Sequence, residues 1–179
     1  ALKATVFKVG LDIADVDRGY YQRHDLTIAR HPSETDERMM VRVLAFACHA
    51  SDTLEFTRGL SADEEPDLWQ RSLSGELEVW IDVGLPDAKR IRKACHRARE
   101  VIVYSYGGRG AGLWWTQVEK LVSGLNNLRV VNLPLADSRA LATLAERTLA
   151  LQCTRQENQW WISSGGASLC ATLDLWQSN

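Results

Sequence analysis

The first thirty residues alternate between polar and apolar side chains in two runs. Ala4–Ile13 and Tyr20–Arg30 each show part of the two-residue period that is typical of a strand with one buried face. The segment Asp15–Gly19 between them is rich in residues that favour turns. The pattern therefore predicts a long N-terminal β-hairpin.

A long helix is predicted from Ser33 to Ala50. Ser33 is a suitable N-cap, and Asp36, three residues later, resembles the acidic partner in a capping box. At 100° per residue, Glu37 falls in the middle of an apolar stripe made of Met40, Val41, Leu44, Ala47 and Cys48. The opposite side of the helix carries Arg38, Arg42 and His49.

The remaining chain mixes strand-like and helix-like patterns, separated by turn residues such as those between Gly59 and Pro66. The predicted strands are Leu54–Arg58, Asp67–Leu73, Leu77–Val83, Val101–Tyr106 and Leu128–Leu133. The predicted helices run from Pro86-Asp87 to about Arg99, from Leu113 to Leu125 after a Gly107–Gly112 loop, and from Ser138 to Glu146. The tail runs Thr148–Arg155, Gln159–Ser163 and Ser168–Trp176 predict a β-meander that packs against the N-terminal hairpin. The fold class is therefore α+β with a mixed sheet, and its middle reads αβββαβ.

Composition narrows the class of protein. A chain of 179 residues with a net charge of −2 fits one globular domain and provides no overall attraction for nucleic acid. No apolar run approaches the roughly 18 residues of a membrane span, and the N-terminus shows no signal-peptide pattern. Four cysteines without a C-x-x-C spacing are typical of reduced, packed thiols. These features predict a cytoplasmic protein.

Three acids are candidates for chemistry. Glu37 lies on an apolar helix face and needs a partner. It either forms an ion pair with an internal arginine or acts as a metal ligand or general base. Asp67 opens one predicted strand, and Asp82 lies in a neighbouring one, pointing away from the face of Leu77, Val79, Ile81 and Val83. Carboxylates on neighbouring strands can converge on Mg²⁺, although a solvated acid at a strand end is the simpler alternative.

Several blocks of sequence resemble the YaeQ family along nearly the whole chain. They are Arg30–Thr35 with Glu37–Met40, Phe56–Leu60, Glu65–Trp69, and Trp80–Gly84 with Pro86-Asp87 and Lys93-Ala94. The resemblance implies a single domain over residues 1–179, with a variant PD-(D/E)XK nuclease-like core at about residues 33–134. It implies no established reaction.

The resemblance also assigns roles to individual residues. Glu37 matches the acid of the first helix, Asp67 the "PD" acid and Asp82 the "(D/E)" acid, so these three would hold Mg²⁺ or Mn²⁺. The superfamily lysine should stand two residues after Asp82, where this chain has Gly84. A lysine from the next helix, Lys93 or Lys89, would have to replace it, but both lie opposite the buried stripe of that helix.

The same helix is strongly basic from Lys89 to Arg99. Its cations could contact the phosphates of a nucleic acid, or they form an ordinary solvated face. The Gly107–Gly112 loop lacks the ending of a phosphate-binding loop and follows no dinucleotide fingerprint, so no organic cofactor is predicted.

Two functions are compatible with these observations. One is a Mg²⁺- or Mn²⁺-dependent nuclease or phosphodiesterase, with Glu37, Asp67 and Asp82 as metal ligands and Lys93 as the electrostatic partner of the scissile phosphate. The other is a catalytically inert nucleic-acid- or protein-binding module on the same fold. Gly84 is the feature that separates them, because a lysine at that position would have favoured the enzyme.

Overall fold

The computed structural model describes residues 3–58 and 64–178. Its strands are β1 (Thr5–Asp15), β2 (Tyr20–Arg30), β3 (Leu54–Phe56), β4 (Leu68–Arg71), β5 (Leu77–Val83), β6 (Glu100–Ser105), β7 (Leu128–Asn132), β8 (Thr148–Gln156), β9 (Gln159–Ser164), β10 (Ala167–Thr172) and β11 (Asp174–Gln177). Its helices are α1 (Asp36–His49), α2 (Ala88–Arg97), α3 (Arg109–Val122) and α4 (Leu135–Ala142).

The strands form two mixed sheets. The hairpin sheet has five strands in the order β10-β9-β8-β1-β2, in which β1 and β8 are parallel and the other pairs antiparallel. The main sheet has six strands in the order β11-β7-β6-β5-β4-β3, in which β5, β6 and β7 are parallel. The predicted α+β class is therefore confirmed, with two sheets in place of one.

Helix α1 is enclosed between the two sheets. Every side chain from Met39 to Cys48 is buried, and these residues share one core with inward-facing residues of both sheets. The predicted stripe through Met40, Leu44 and Ala47 is present, but the opposite side of the helix is not exposed to solvent. Arg42, which lies there, is only 4% exposed. The helical periodicity identifies only one buried face of α1. In the structure the second sheet covers the opposite side of the helix as well.

The N-cap residue of α1 is not the one that the sequence pattern predicts. Thr35, rather than Ser33, is the N-cap, and its Oγ1 accepts a hydrogen bond from the backbone N–H of Arg38 at 3.1 Å. Ser33 instead interacts with the ring of His31. The helix thus begins at Asp36, so the acids at positions 36 and 37 lie in its first turn, where the helix dipole favours negative charge.

A second core lies on the other face of the main sheet. Helices α2 and α3 cover it with Ile91, Ala94 and Trp114, which pack with Trp80 and Val103 of the sheet. Asp87 caps α2 through a hydrogen bond from the N–H of Arg90 at 2.8 Å. The layers are therefore hairpin sheet, α1 with α4, main sheet, and α2 with α3.

The predicted element order αβββαβ is present as α1-β3-β4-β5-α2-β6, and β4 pairs with β5 as expected. Three predictions are wrong in detail. The helix predicted from Ser138 to Glu146 begins and ends earlier, as α4 (Leu135–Ala142). The tail run Ser168–Trp176 divides into β10 in the hairpin sheet and β11 in the main sheet. The Gly107–Gly112 loop contains the first turn of α3, which begins at Arg109.

Part of the predicted turn between Gly59 and Pro66, and the end of the Phe56–Leu60 block, fall on residues 59–63, outside the described residues. Among the helices in the described part of the chain, none is long and apolar enough to cross a membrane.

Candidate functional site

Asp67 lies immediately before β4 and is buried, with 7% exposure. Nη2 of Arg38, from α1, lies 2.9 Å from one carboxylate oxygen of Asp67 and 3.1 Å from the other. The backbone N–H of Val83, at the end of β5, donates to the same carboxylate at 2.7 Å. Both oxygens of Asp67 therefore already accept hydrogen bonds.

Arg38 connects Asp67 to a second acid, Glu34. Its Nη1 donates to Glu34 at 2.7 Å, and its Nη2 also donates to the carbonyl oxygen of Val83 at 3.0 Å. Burial lowers the pKa of Arg38, but the carboxylates of Asp67 and Glu34 outweigh burial and raise that pKa. The guanidinium remains charged and holds the two acids on either side of it.

Glu34 is also held by Arg42, one turn further along α1. Arg42 donates to both carboxylate oxygens of Glu34, at 2.9 and 2.5 Å, and to the carbonyl oxygen of Ala29 at 3.2 Å. Glu34 and Arg42 are both buried. We call Glu34, Arg38, Arg42 and Asp67 the acid–arginine network.

Asp82 lies on β5 and has an arginine of its own. It is 3% exposed, and Arg90 of α2 donates to its two oxygens, each at 3.0 Å. Burial raises the pKa of Asp82, against the opposing effect of Arg90. Asp82 shares a face of β5 with Trp80, towards α2, whereas Ile81 and Val83 face α1.

Glu37 and Lys93 lie apart from these pairs. Glu37 is half-buried and accepts a hydrogen bond from Oγ of Ser138, on α4, at 2.8 Å. Lys93 is exposed and its Nζ lies 3.0 Å from a carboxylate oxygen of Glu64. The predicted electrostatic partner thus contacts a surface acid, and the residue of α2 that contacts Asp82 is Arg90.

Comparison with known proteins identifies the family. The sequence profile of the YaeQ protein family matches residues 1–173. The chain belongs to the YaeQ family. YaeQ of Escherichia coli strain K12 and YaeQ of Salmonella typhi, both described as uncharacterized, are each 43% identical over 177 residues, which cover 99% of this chain and 98% of the relative.

Two solved YaeQ structures share the fold. The crystal structure of the YaeQ protein from Xanthomonas axonopodis pv. citri has a TM-score of 0.96 at 45% identity, covering 98% of this chain and 99% of that one. The YaeQ protein from Pseudomonas syringae has a TM-score of 0.92 at 32% identity, covering 98% of this chain and 97% of that one.

The acids of this YaeQ chain do not form a ready metal centre. Among residues 3–58 and 64–178, no group of three or more His, Cys, Asp or Glu side chains could hold a metal ion. Asp67 faces Arg38 on the α1 side of the main sheet, and Asp82 faces Arg90 on the α2 side. A divalent cation at either carboxylate would compete with a guanidinium that already contacts both of its oxygens. The metal role of Glu37, Asp67 and Asp82 stays a prediction.

Gly84 follows β5 at the position where the resemblance to the nuclease-like fold would place a lysine. Its φ of +118° is a backbone conformation that L side chains rarely adopt, and its N–H donates to the carbonyl oxygen of Tyr104 at 2.9 Å. A lysine at this position would strain the backbone. The glycine is therefore a structural requirement of the turn that follows β5.

Four of the six Lys and Arg side chains in the basic segment Lys89–Arg99 contact one of three acids. Arg90 pairs with Asp82, Lys93 and Arg97 with Glu64, and Arg99 with Glu76. Lys89 and Arg92 are exposed, and within the described residues no ion pair involves them. This segment therefore offers less positive charge to a phosphate backbone than its sequence indicates.

The sequence pattern indicates the arginine partners of these acids only in part. Arg90 lies four residues before Ala94, which is on the buried stripe of α2, so its side chain starts on the side that faces the sheet. Arg38 and Arg42 lie opposite the apolar stripe of α1. Side chains at such positions are exposed to solvent unless a second layer of the protein covers them. Glu34 precedes the helix and had no periodicity to mark it.

Proposed function

We propose that this chain is a catalytically inert binding module on a nuclease-like αβββαβ core. The observation that carries the proposal is that the two strand acids at the nuclease positions, Asp67 and Asp82, each bind an arginine with both oxygens. In a metal-dependent nuclease these oxygens would coordinate the ion that activates water.

Energetics support the same assignment. Removing one partner from a buried ion pair costs about 3–5 kcal/mol, because the other charge stays buried without compensation. A metal ion that displaced Arg38 or Arg90 would compensate the acid but would leave the partly buried guanidinium without this partner, a cost that metal binding would have to offset. Gly84 adds a second deficit, since the position of the catalytic lysine holds a residue that its backbone conformation requires to be glycine.

Within this proposal a protein partner is favoured over nucleic acid. The net charge of −2 provides no long-range attraction for a polyanion, and acids of the chain already pair with Arg90, Lys93, Arg97 and Arg99. Lys89 and Arg92 alone would make few phosphate contacts, so nucleic-acid binding through this helix would be weak and sensitive to salt.

A cleavage assay tests the proposal. The purified full chain is incubated with single- and double-stranded DNA and RNA in Mg²⁺ or Mn²⁺, beside the Asp82→Asn variant prepared in the same way. The expected result is no cleavage above the level of the variant. Metal-dependent cleavage by the wild type that Asp82→Asn loses, while remaining folded by circular dichroism, would overturn the proposal in favour of the nuclease.

A further inference from the structure

A cavity of about 460 Å³ opens between the end of the hairpin sheet and the edge of the main sheet. Its volume lies in the range of small-molecule sites. Three arginines from three separate elements line it: Arg18 from the β1–β2 turn, Arg129 from β7 and Arg155 from β8. The cavity shares no residue with the acid–arginine network or with Asp82 and Arg90.

A buried carboxylate holds two of the arginines together. Asp15 continues the inward face of β1 and is fully buried. Nε of Arg18 lies 2.9 Å, and Nη1 of Arg155 lies 3.6 Å, from the same Oδ2 of Asp15. Two guanidinium groups are therefore fixed side by side around one oxygen, and Arg155 also contacts Asp17 at 3.3 Å.

The third arginine approaches from the other sheet. Nη2 of Arg129 lies 3.2 Å from a carboxylate oxygen of Glu100. The acids Asp15, Asp17 and Glu100 pair with these guanidinium groups, and none of the three acids lines the cavity. Arg18 also donates to the carbonyl oxygen of Ala50 at 3.2 Å, and Arg155 to Oδ1 of Asn158 at 2.9 Å. Because a guanidinium has five N–H donors, each arginine still has N–H groups for a ligand.

The other polar groups at the cavity wall are neutral. Nε2 of His49 lies 2.6 Å from the hydroxyl of Tyr104. Burial, together with the three arginine charges, lowers the pKa of His49 to about 3, and burial raises the pKa of Cys48 to about 11. No thiolate or imidazolium therefore alters the field of the arginines, while Val131, Leu173 and Leu175 supply an apolar wall.

We propose that this cavity binds a small organic phosphate, a phosphomonoester with a compact apolar body. Three guanidinium groups from different directions suit a dianionic group with three terminal oxygens, whereas a carboxylate is satisfied by one bidentate arginine. The hydroxyl of Tyr104 offers one further polar contact, and the leucines would cover the apolar body of the ligand.

Titration calorimetry with phenyl phosphate, inorganic phosphate and benzoate tests the proposal on the full chain. Phenyl phosphate should bind most tightly, because inorganic phosphate lacks the apolar body and benzoate lacks the third terminal oxygen. Arg129→Ala should weaken binding of phenyl phosphate by about 10- to 100-fold, as expected for the loss of charge-assisted hydrogen bonds. Arg99→Ala, which removes an exposed arginine that also pairs with a glutamate, should leave binding unchanged.

Backbone amide shifts of the wild type provide a readout that does not depend on a variant. Addition of phenyl phosphate should perturb amides near His49, Arg129 and Leu175. Absence of binding, equal binding by wild type and Arg129→Ala, tighter binding of benzoate than of phenyl phosphate, or shifts confined to other parts of the chain would each overturn the proposal.

Discussion

The change in the free energy of unfolding when Asp67 is replaced shows whether this acid has a structural or a metal-binding role. Its carboxylate accepts hydrogen bonds from both Arg38 and Val83, and Arg38 contacts both of its oxygens. In asparagine the negative charge is lost and one oxygen is replaced by an NH2 group, which cannot accept from the guanidinium. Asp67→Asn should therefore lower the free energy of unfolding by about 3 kcal/mol. Carboxylates that crowd together to bind a metal behave differently, since their removal often stabilises a protein.

Glu37→Gln is the matched control for this measurement by urea denaturation. Glu37 is half-buried and accepts one hydrogen bond, from Ser138, which the amide oxygen of glutamine can also accept. The expected loss is below about 1 kcal/mol. Equal losses for the two variants, or a gain in stability for Asp67→Asn, would contradict the structural role of Asp67.

His49 makes the stability of the chain depend on pH. Its folded pKa of about 3 lies below the value of about 6.5 in an unfolded chain, so between these values only the unfolded chain takes up the proton. This contribution to stability is present above pH of about 6.5 and is lost as the pH falls towards the folded pKa.

Between pH 7 and 5 the wild type should lose about 2 kcal/mol more stability than His49→Gln. Glutamine retains a polar group for Tyr104 but does not titrate. The measurement is the free energy of unfolding in urea at both pH values. The same pH dependence of the free energy of unfolding in both proteins would show that the pKa of His49 is not lowered in the folded chain.

Helix α2 has two classes of cation, which the salt dependence of nucleic-acid binding can separate. Lys89 and Arg92 are the exposed class, and Lys93 and Arg97 share Glu64. Each phosphate contact contributes about −0.9 to the slope of log K against log salt. The double variant Lys89→Ala/Arg92→Ala should therefore reduce the steepness of any slope by about 2.

The paired control is Lys93→Ala/Arg97→Ala, which should change the slope by less than about 1, because those cations already have a partner. Fluorescence anisotropy with a labelled duplex over about 50–200 mM salt gives both slopes. A larger effect of Lys93→Ala/Arg97→Ala would mean that the pairs with Glu64 open to bind phosphate.

Much of the architecture is predictable from the chain because its strands and helices have clear periods. The hairpin, α1 and the order αβββαβ all follow from local patterns and turn residues. The enclosure of α1 between two sheets does not, because one helix period cannot tell how many layers will cover it. The split of Ser168–Trp176 between two sheets is likewise a matter of distant pairing, with β7 on one side and β9 on the other.

The candidate site was predictable only in its acids. Asp67 and Asp82 stand out by their positions on strands, but their partners Arg38 and Arg90 come from helices on opposite faces of the main sheet. Which cation reaches a buried carboxylate depends on the packing of those helices. The arginine cavity combines residues of the β1–β2 turn, of four strands (β6, β7, β8 and β11) and of the end of α1, so no motif in the sequence marks it.

At the scale of the whole molecule, helices on opposite faces of the main sheet each place an arginine against a strand acid, Arg38 against Asp67 and Arg90 against Asp82. We expect these arginines, and not metal ions, to be the partners of the two acids in solution. Calorimetric titration of the full chain with Mn²⁺ tests this most directly, with Asp67→Asn, Asp82→Asn and the exposed-acid control Glu55→Gln measured in parallel. We expect no saturable binding of Mn²⁺ to any of the four proteins. Stoichiometric binding to the wild type and to Glu55→Gln that is lost in Asp67→Asn and Asp82→Asn would contradict it.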